Sequence, residues 1–180
     1  MCLWLGMAVI LVGIDSDARN NSAAQKTNHA TQEDAIREAV IGYQMGAWRG
    51  SGDKVERDAK EPRDKYIAKR LNSRICFVSI NRKDPSDEFL KWFRGIPCTV
   101  KKVSDAIQTK DPDGGWVIDK KTEQRGIIFS ANEIRWLKNT QVEVDGGYHC
   151  GGLCGAGEVF TVTLENGKWK VIADRMKWIS

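Results

Sequence analysis

Phe160-Thr-Val-Thr-Leu-Glu-Asn-Gly-Lys-Trp-Lys-Val171 folds back on itself at Asn166-Gly167. Asn-Gly readily supplies φ > 0 at both central positions of a two-residue hairpin turn. The turn sets Leu164 opposite Trp169 and Val162 opposite Val171, and by extension Phe160 opposite Ala173. All of these side chains fall on one face. Glu165 with Lys168 and Thr163 with Lys170 take the other face, which suits solvent.

The same register carries back along the chain. Val142-Glu-Val-Asp-Gly-Gly-Tyr-His-Cys150 alternates apolar and polar residues. With Cys150 facing Cys154 across Gly151-Gly152-Leu153, Val144 meets Phe160 and Val142 meets Val162. A slip of one residue would turn every apolar side chain outward. A short loop at Lys138-Asn139-Thr140 then brings Trp136 to Val142 and Ile134 to Val144. The expected result is an antiparallel β-meander with one buried face.

Upstream, Thr31-Gln-Glu-Asp34 opens a helix, with Thr31 as N-cap and acidic residues in the first turn. Ile36, Val40, Tyr43 and Ala47 recur at helical spacing, and Gly42 and Gly46 suggest close approach to a sheet. Arg74 to Ile80 reads as a buried strand. Asp84-Pro85 reads as a second helix start, with Asp84 as cap and Pro85 at the first helical position, and Gly95 as its stop. Pro97 to Val103, Trp116 to Ile118 and Gly126 to Phe129 read as strands, the last two around the polar turn Lys120 to Gln124. Helices precede strands, so the class is α+β: an N-terminal helix packed on a curved antiparallel sheet, ending in the meander.

The chain has 180 residues, 41% apolar and 29% charged, with a net charge of +4. That suits one domain, here residues 31–180. Between Arg49 and Arg70, eight Lys/Arg mix with five Asp/Glu. Such a mixed-sign run reads as a solvated face and gives no nucleic-acid partner. Cys2 to Ile14 is an uncharged apolar stretch of thirteen residues, too short to span a bilayer but suited to a secretory leader. Ser16-Asp17-Ala18 offers a cleavage site. Residues 1–18 are therefore expected to be a signal peptide and 19–30 a linker, giving a periplasmic or secreted protein with no transmembrane span in the mature chain.

Four cysteines then remain, and an exported chain permits disulfides. The hairpin register favours Cys150 with Cys154, which leaves Cys76 with Cys98. Free thiols are the next reading, and metal binding by His149, Cys150 and Cys154 is weaker, because adjacent strand residues point to opposite faces. Redox catalysis is weaker still, since no helix follows to stabilise a thiolate.

The element order resembles the cystatin-like roll of ketosteroid-isomerase-like and nuclear-transport-factor-like domains, over residues 31–180. Asp84-Pro-Ser-Asp-Glu-Phe-Leu90, Glu133-Ile-Arg-Trp136, Tyr148-His-Cys-Gly-Gly-Leu-Cys154, Gly167-Lys-Trp-Lys-Val171 and Trp178-Ile-Ser180 resemble uncharacterised exported bacterial proteins. The roll implies a cavity and no particular activity, because its members include enzymes and non-catalytic binders.

Glu158 is the one carboxylate sharing parity with Phe160 and Val162, opposite Gly146 and near Tyr148. At the mouth of an apolar concavity it could act as an acid or base. Its plainer role is a carboxylate reaching water near the hairpin tip. The tryptophans read mainly as core. No phosphate loop, Ser-His-Asp set or cofactor motif is present. The expectation is a small-ligand- or protein-binding domain with Glu158, Tyr148 and Tyr43 as ligand-contact residues, and with no cofactor or metal. The alternative is an isomerase- or hydrolase-type enzyme using a pocket between helix and sheet. The ligand, partner and oligomeric state are not legible.

Overall fold

Residues 32–46, 74–112 and 114–180 are described in the structure, a computed structural model. The expected leader (1–18), linker (19–30), Thr31 cap, Ala47 and charged run from Arg49 to Arg70 lie outside these residues. By chain contacts Glu33–Ser180 form one unit.

Helix α1 covers 32–46. Its buried apolar stripe is Ile36, Val40, Ile41 and Met45. This is rotated from the expected Ile36, Val40, Tyr43, Ala47 stripe, because Ile41 and Met45 are wholly apolar whereas Tyr43 carries a hydroxyl that must reach water or a partner. Arg37 is also buried and pairs with Glu33 at 3.0 Å, one helical turn away. Gln44 donates from Nε2 to the Ser130 carbonyl at 2.9 Å, fastening α1 to the sheet. Gly42 and Gly46 do not mark a close approach. Both are exposed, and a Cβ on either would meet nothing within 4 Å.

Strands β1 (Ile75–Ile80), β2 (Thr99–Lys102), β5 (Gly126–Lys138), β6 (Gln141–Gly151), β7 (Cys154–Glu165) and β8 (Lys168–Ile179) form one sheet in the order β2-β1-β5-β6-β7-β8. Between them lie the short helix α2 (Asp87–Lys91) and the strands β3 (Ala106–Gln108) and β4 (Val117–Asp119), which pair antiparallel as a separate ribbon. The class is α+β, and most neighbours in the large sheet are antiparallel. One part of the expectation fails: β1 is parallel to both β2 and β5. Parallel strands need a crossover, and residues 81–98 supply it through α2. The run Ile75-Cys-Phe-Val-Ser79 is buried throughout, as a central strand covered on both faces should be.

The α2 cap also differs from expectation. Ser86 is the N-cap, accepting from the Phe89 amide at 3.1 Å. Asp84 turns instead to the Ser104 amide at 2.8 Å.

The meander register holds at Leu164–Trp169, Val162–Val171, Val144–Phe160, Val142–Val162, Trp136–Val142 and Ile134–Val144. It fails at Phe160, which faces Asp174 while Thr161 faces Ala173. Ile172 is the extra residue of a bulge there, and it shifts the alternation of β8 by one. A second bulge, at Asn132-Glu133, makes β5 one long strand rather than two: Ile127, Phe129 and Ala131 point inward at odd positions, Ile134 and Trp136 at even ones. The core joins these residues to α1, with Phe129 and Phe160 fully buried. Burying a side chain of that size stabilises by about 1.5–3 kcal/mol. Trp136 and Trp169 meet edge to face, with ring centres 5.7 Å apart.

Ile75, Phe77 and Val117 form a smaller cluster on the opposite side of β1, under the β3–β4 ribbon. Asp119 anchors the turn beyond it. Its carboxylate is 1% exposed and accepts from Lys101 Nζ at 2.8 Å and from the Thr122 hydroxyl and amide at 2.7 and 3.0 Å. Lys101 first, then Thr122, holds that carboxyl at about 2.

Both expected cysteine pairs are at disulfide distance, Cys76 with Cys98 and Cys150 with Cys154, with Cα separations of 6.2 and 5.2 Å. Removing the first, by Cys76→Ala with Cys98→Ala, is expected to lower unfolding free energy by about 3 kcal/mol, measured in urea. Gly42→Ala should raise it by roughly 0.5–1 kcal/mol, since the helix gains and nothing is displaced.

Candidate functional site

Alternate residues of a strand face opposite ways. Ile127 and Phe129 of β5 enter the α1 core, so Ile128 and Ser130 face away from it, as do Asp145 and His149 of β6. On this second face a cavity of about 560 Å³ opens over β5 to β8, beside the turn at Asn81-Arg82. None of its lining residues comes from α1.

Four departures from regular backbone converge there. Asn81 and Arg82 have φ of 50° and 62°, and Ile80 and Lys83 exchange backbone hydrogen bonds of 2.9 Å across them. That is a tight turn with both central residues left-handed, a place where glycine would normally follow asparagine. The Asn132-Glu133 bulge is the second departure. The third is in β8, where Gly157 faces Trp178 but Glu158 faces Met176, leaving Lys177 as an extra residue. The fourth is Gly147, at φ 146°, where a Cβ would strike the Ala156 carbonyl. Bulges and strained residues gather where a sheet must aim side chains at something.

The floor is bare so that the wall can lie close. Nε1, Cδ1 and Cε2 of Trp178 lie so near Gly157 that any Cβ there would enter the indole. Trp178 is nevertheless 52% exposed, so it is a surface platform and not the core residue its type suggested. Trp116 is likewise exposed, under the Arg125 guanidinium at 3.9 Å. Lys177 pairs with Asp145 at 3.2 Å. Ser130 donates its hydroxyl to the Gly147 carbonyl at 3.1 Å. Asn132 Oδ1 is buried and accepts no hydrogen bond.

The expected pair is present. Glu158 stands opposite Gly146 with Tyr148 as its diagonal neighbour; alternation sets both on the α1 face, where Tyr148 packs against the core, and the cavity borders these two residues from the other side of the sheet. Burial first, then the nearby Asp174 carboxylate, pushes the Glu158 carboxyl above its ordinary value. Burial and the Glu158 charge raise the Tyr148 hydroxyl in turn. Tyr43 is outside this lining; its ring meets Phe160 edge on, with centres 6.0 Å apart.

His149 looks away from the Cys150–Cys154 pair, as adjacent strand positions require. Its Nε2 donates to Gln108 Oε1 at 3.2 Å, while Gln108 Nε2 donates to the Gly114 carbonyl at 2.6 Å. The glutamine thus fixes the tautomer, leaving Nδ1 as the acceptor nitrogen. Burial lowers the His149 pKa, so the ring is neutral at physiological pH. Among the described residues no three His, Cys, Asp or Glu side chains gather as a metal-binding group.

Sequence reasoning missed Arg82, Asn132, Lys177 and Trp178. Their roles depend on turn and bulge geometry that shifts a two-residue period by one. The only local signal was Asn81, a residue that tolerates the left-handed region.

Glu158 also has a thermodynamic signature. The folded protein holds its proton more tightly than the unfolded chain does. Stability should therefore fall as pH rises from the ordinary 4.5 through the raised value. Glu158→Gln is expected to remove that decline, leaving the variant at least as stable as the parent at neutral pH, by urea unfolding across the range. No family model, curated protein or solved structure matches this chain.

Proposed function

We propose that this domain binds a small polar ligand in the cavity over β5 to β8. The observation that carries the reading is Arg82. It occupies a left-handed position that disfavours a residue with a Cβ, and it lines the cavity. Among the described residues its guanidinium has no protein partner. Strain of this kind, of order 1 kcal/mol or more, persists where a side chain is needed for something besides folding. The cavity volume lies within the ordinary range for small-molecule sites.

We place the protein in the periplasm or outside the cell. Two cysteine pairs at bonding distance support this, since such bonds persist in oxidising compartments. A helix layered on a largely antiparallel sheet supports kinship with cystatin-like rolls. Among the described residues no helix is long and apolar enough to cross a membrane. A second reading, acid–base catalysis of the isomerase or hydrolase type, is favoured by one observation: a half-buried carboxyl with a raised pKa next to a tyrosine.

Arg82→Gly separates binding from folding. It creates an Asn-Gly turn, so stability should rise by roughly 1 kcal/mol. In a thermal-shift screen of sugars, amino acids, carboxylates and nucleosides, at least one class should stabilise the parent and stabilise Arg82→Gly less. A parent unmoved by every class, or equal shifts in both proteins, would remove the proposal. Turnover that disappears in Glu158→Gln would favour the catalytic reading.

A further inference from the structure

Resting on that ligand site, we infer that its ligand is a neutral saccharide, stacked on Trp178 and hydrogen-bonded by the polar groups around it. Three features of the lining choose this class.

The first is the platform. Gly157 lets the indole lie down against β7, which leaves an aromatic face turned outward, 52% exposed at the cavity. A pyranose ring offers a flat array of C–H bonds that covers such a face, while its rim of hydroxyls remains free to bond outward.

The second is charge. Arg82 and Lys177 stand against Glu133, Asp145 and Glu158 in the lining. Lys177 is already committed to Asp145. The two signs are interspersed, so neither an anion nor a cation meets a focused field. A purely apolar ligand would strand these groups without water. A molecule with many hydroxyls can serve carboxylate, amide and guanidinium together, because each hydroxyl both donates and accepts.

The third is an unfilled acceptor. Asn132 Oδ1 is buried on the bulge without a donor. A buried, unpaired amide oxygen is costly. Ser130, with its proton given to the Gly147 carbonyl, presents only lone pairs. Ser130 calls for a ligand that brings a hydroxyl proton, whereas Asn132 Oδ1, closed off from water in the unliganded protein, accepts one only once the bulge shifts.

The test is calorimetric titration of the full chain with maltotriose, cellotriose, mannotriose and N,N′-diacetylchitobiose, alongside galacturonate oligosaccharides and free amino acids. At least one neutral sugar should bind, and Trp178→Ala should weaken it roughly tenfold or more, with Trp178→Phe recovering part of the loss. Gly157→Ala, which displaces the indole while retaining it, should weaken binding similarly and guards against a folding defect in the first variant. The inference is overturned if no neutral sugar binds, or if both variants bind as the parent does. Amino acids or uronates binding alone, through Arg82, would overturn the saccharide and leave the ligand site standing. Silence from every compound would remove both.

Discussion

One buried face shared by four consecutive strands holds the rest of the structure in place. Val142, Val144, Phe160 and Val162 are wholly removed from water in one mutual register. Because side chains alternate with period two, that register fixes which residues face α1 and which face the cavity. The inward set receives Ile36, Val40, Ile41 and Met45 from the helix. The outward set is left for recognition. Nothing about the site could be moved by one residue without opening the core.

Much of this was legible because the meander is local. Asn166-Gly167 declares its turn, and strict alternation through Val142 to Val162 leaves one consistent pairing. The Cys150–Cys154 pair was expected from the same register and Cys76–Cys98 as the remainder, although a bulge at the hairpin tip puts Gly151, not Cys150, opposite Cys154. What escaped were long-range and phase effects. Parallel and antiparallel strands bury the same apolar runs, so Ile75 to Ile80 carries no mark of its direction. The bulges at Asn132-Glu133 and Ile172 each change the phase of a strand, and a one-residue insertion has no side-chain signature of its own. On α1, periodicity admitted two neighbouring stripes, and packing against the sheet selected Ile41 and Met45 over Tyr43.

The site was half legible for the same reason. Glu158 and Tyr148 belong to the regular pairing of β6 with β7, where parity works and sets both on the α1 face beside the cavity. Arg82, Asn132, Lys177 and Trp178 belong to its irregular part. The cavity lies where regularity breaks: a left-handed turn, two bulges and a positive-φ glycine within one patch. A regular sheet there would present a flat surface with alternating short side chains. The irregularities exchange some stability for relief, and relief is what encloses a small molecule.

The outermost strand, β8, has a different consequence. It is twelve residues long, with Ile172, Met176 and Ile179 largely exposed, and among the described residues no strand pairs with its outer edge. Open, apolar edges of this length invite other chains to add themselves. Two insertions, at Ile172 and Lys177, interrupt its ladder of amide and carbonyl groups. Of the two symmetric antiparallel registers nearest its middle, about Ala173 and about Asp174, the second opposes Asp174 to Asp174, and like charges repel at that spacing. The kinks that shape the pocket therefore also discourage fibril growth from the open rim of the sheet.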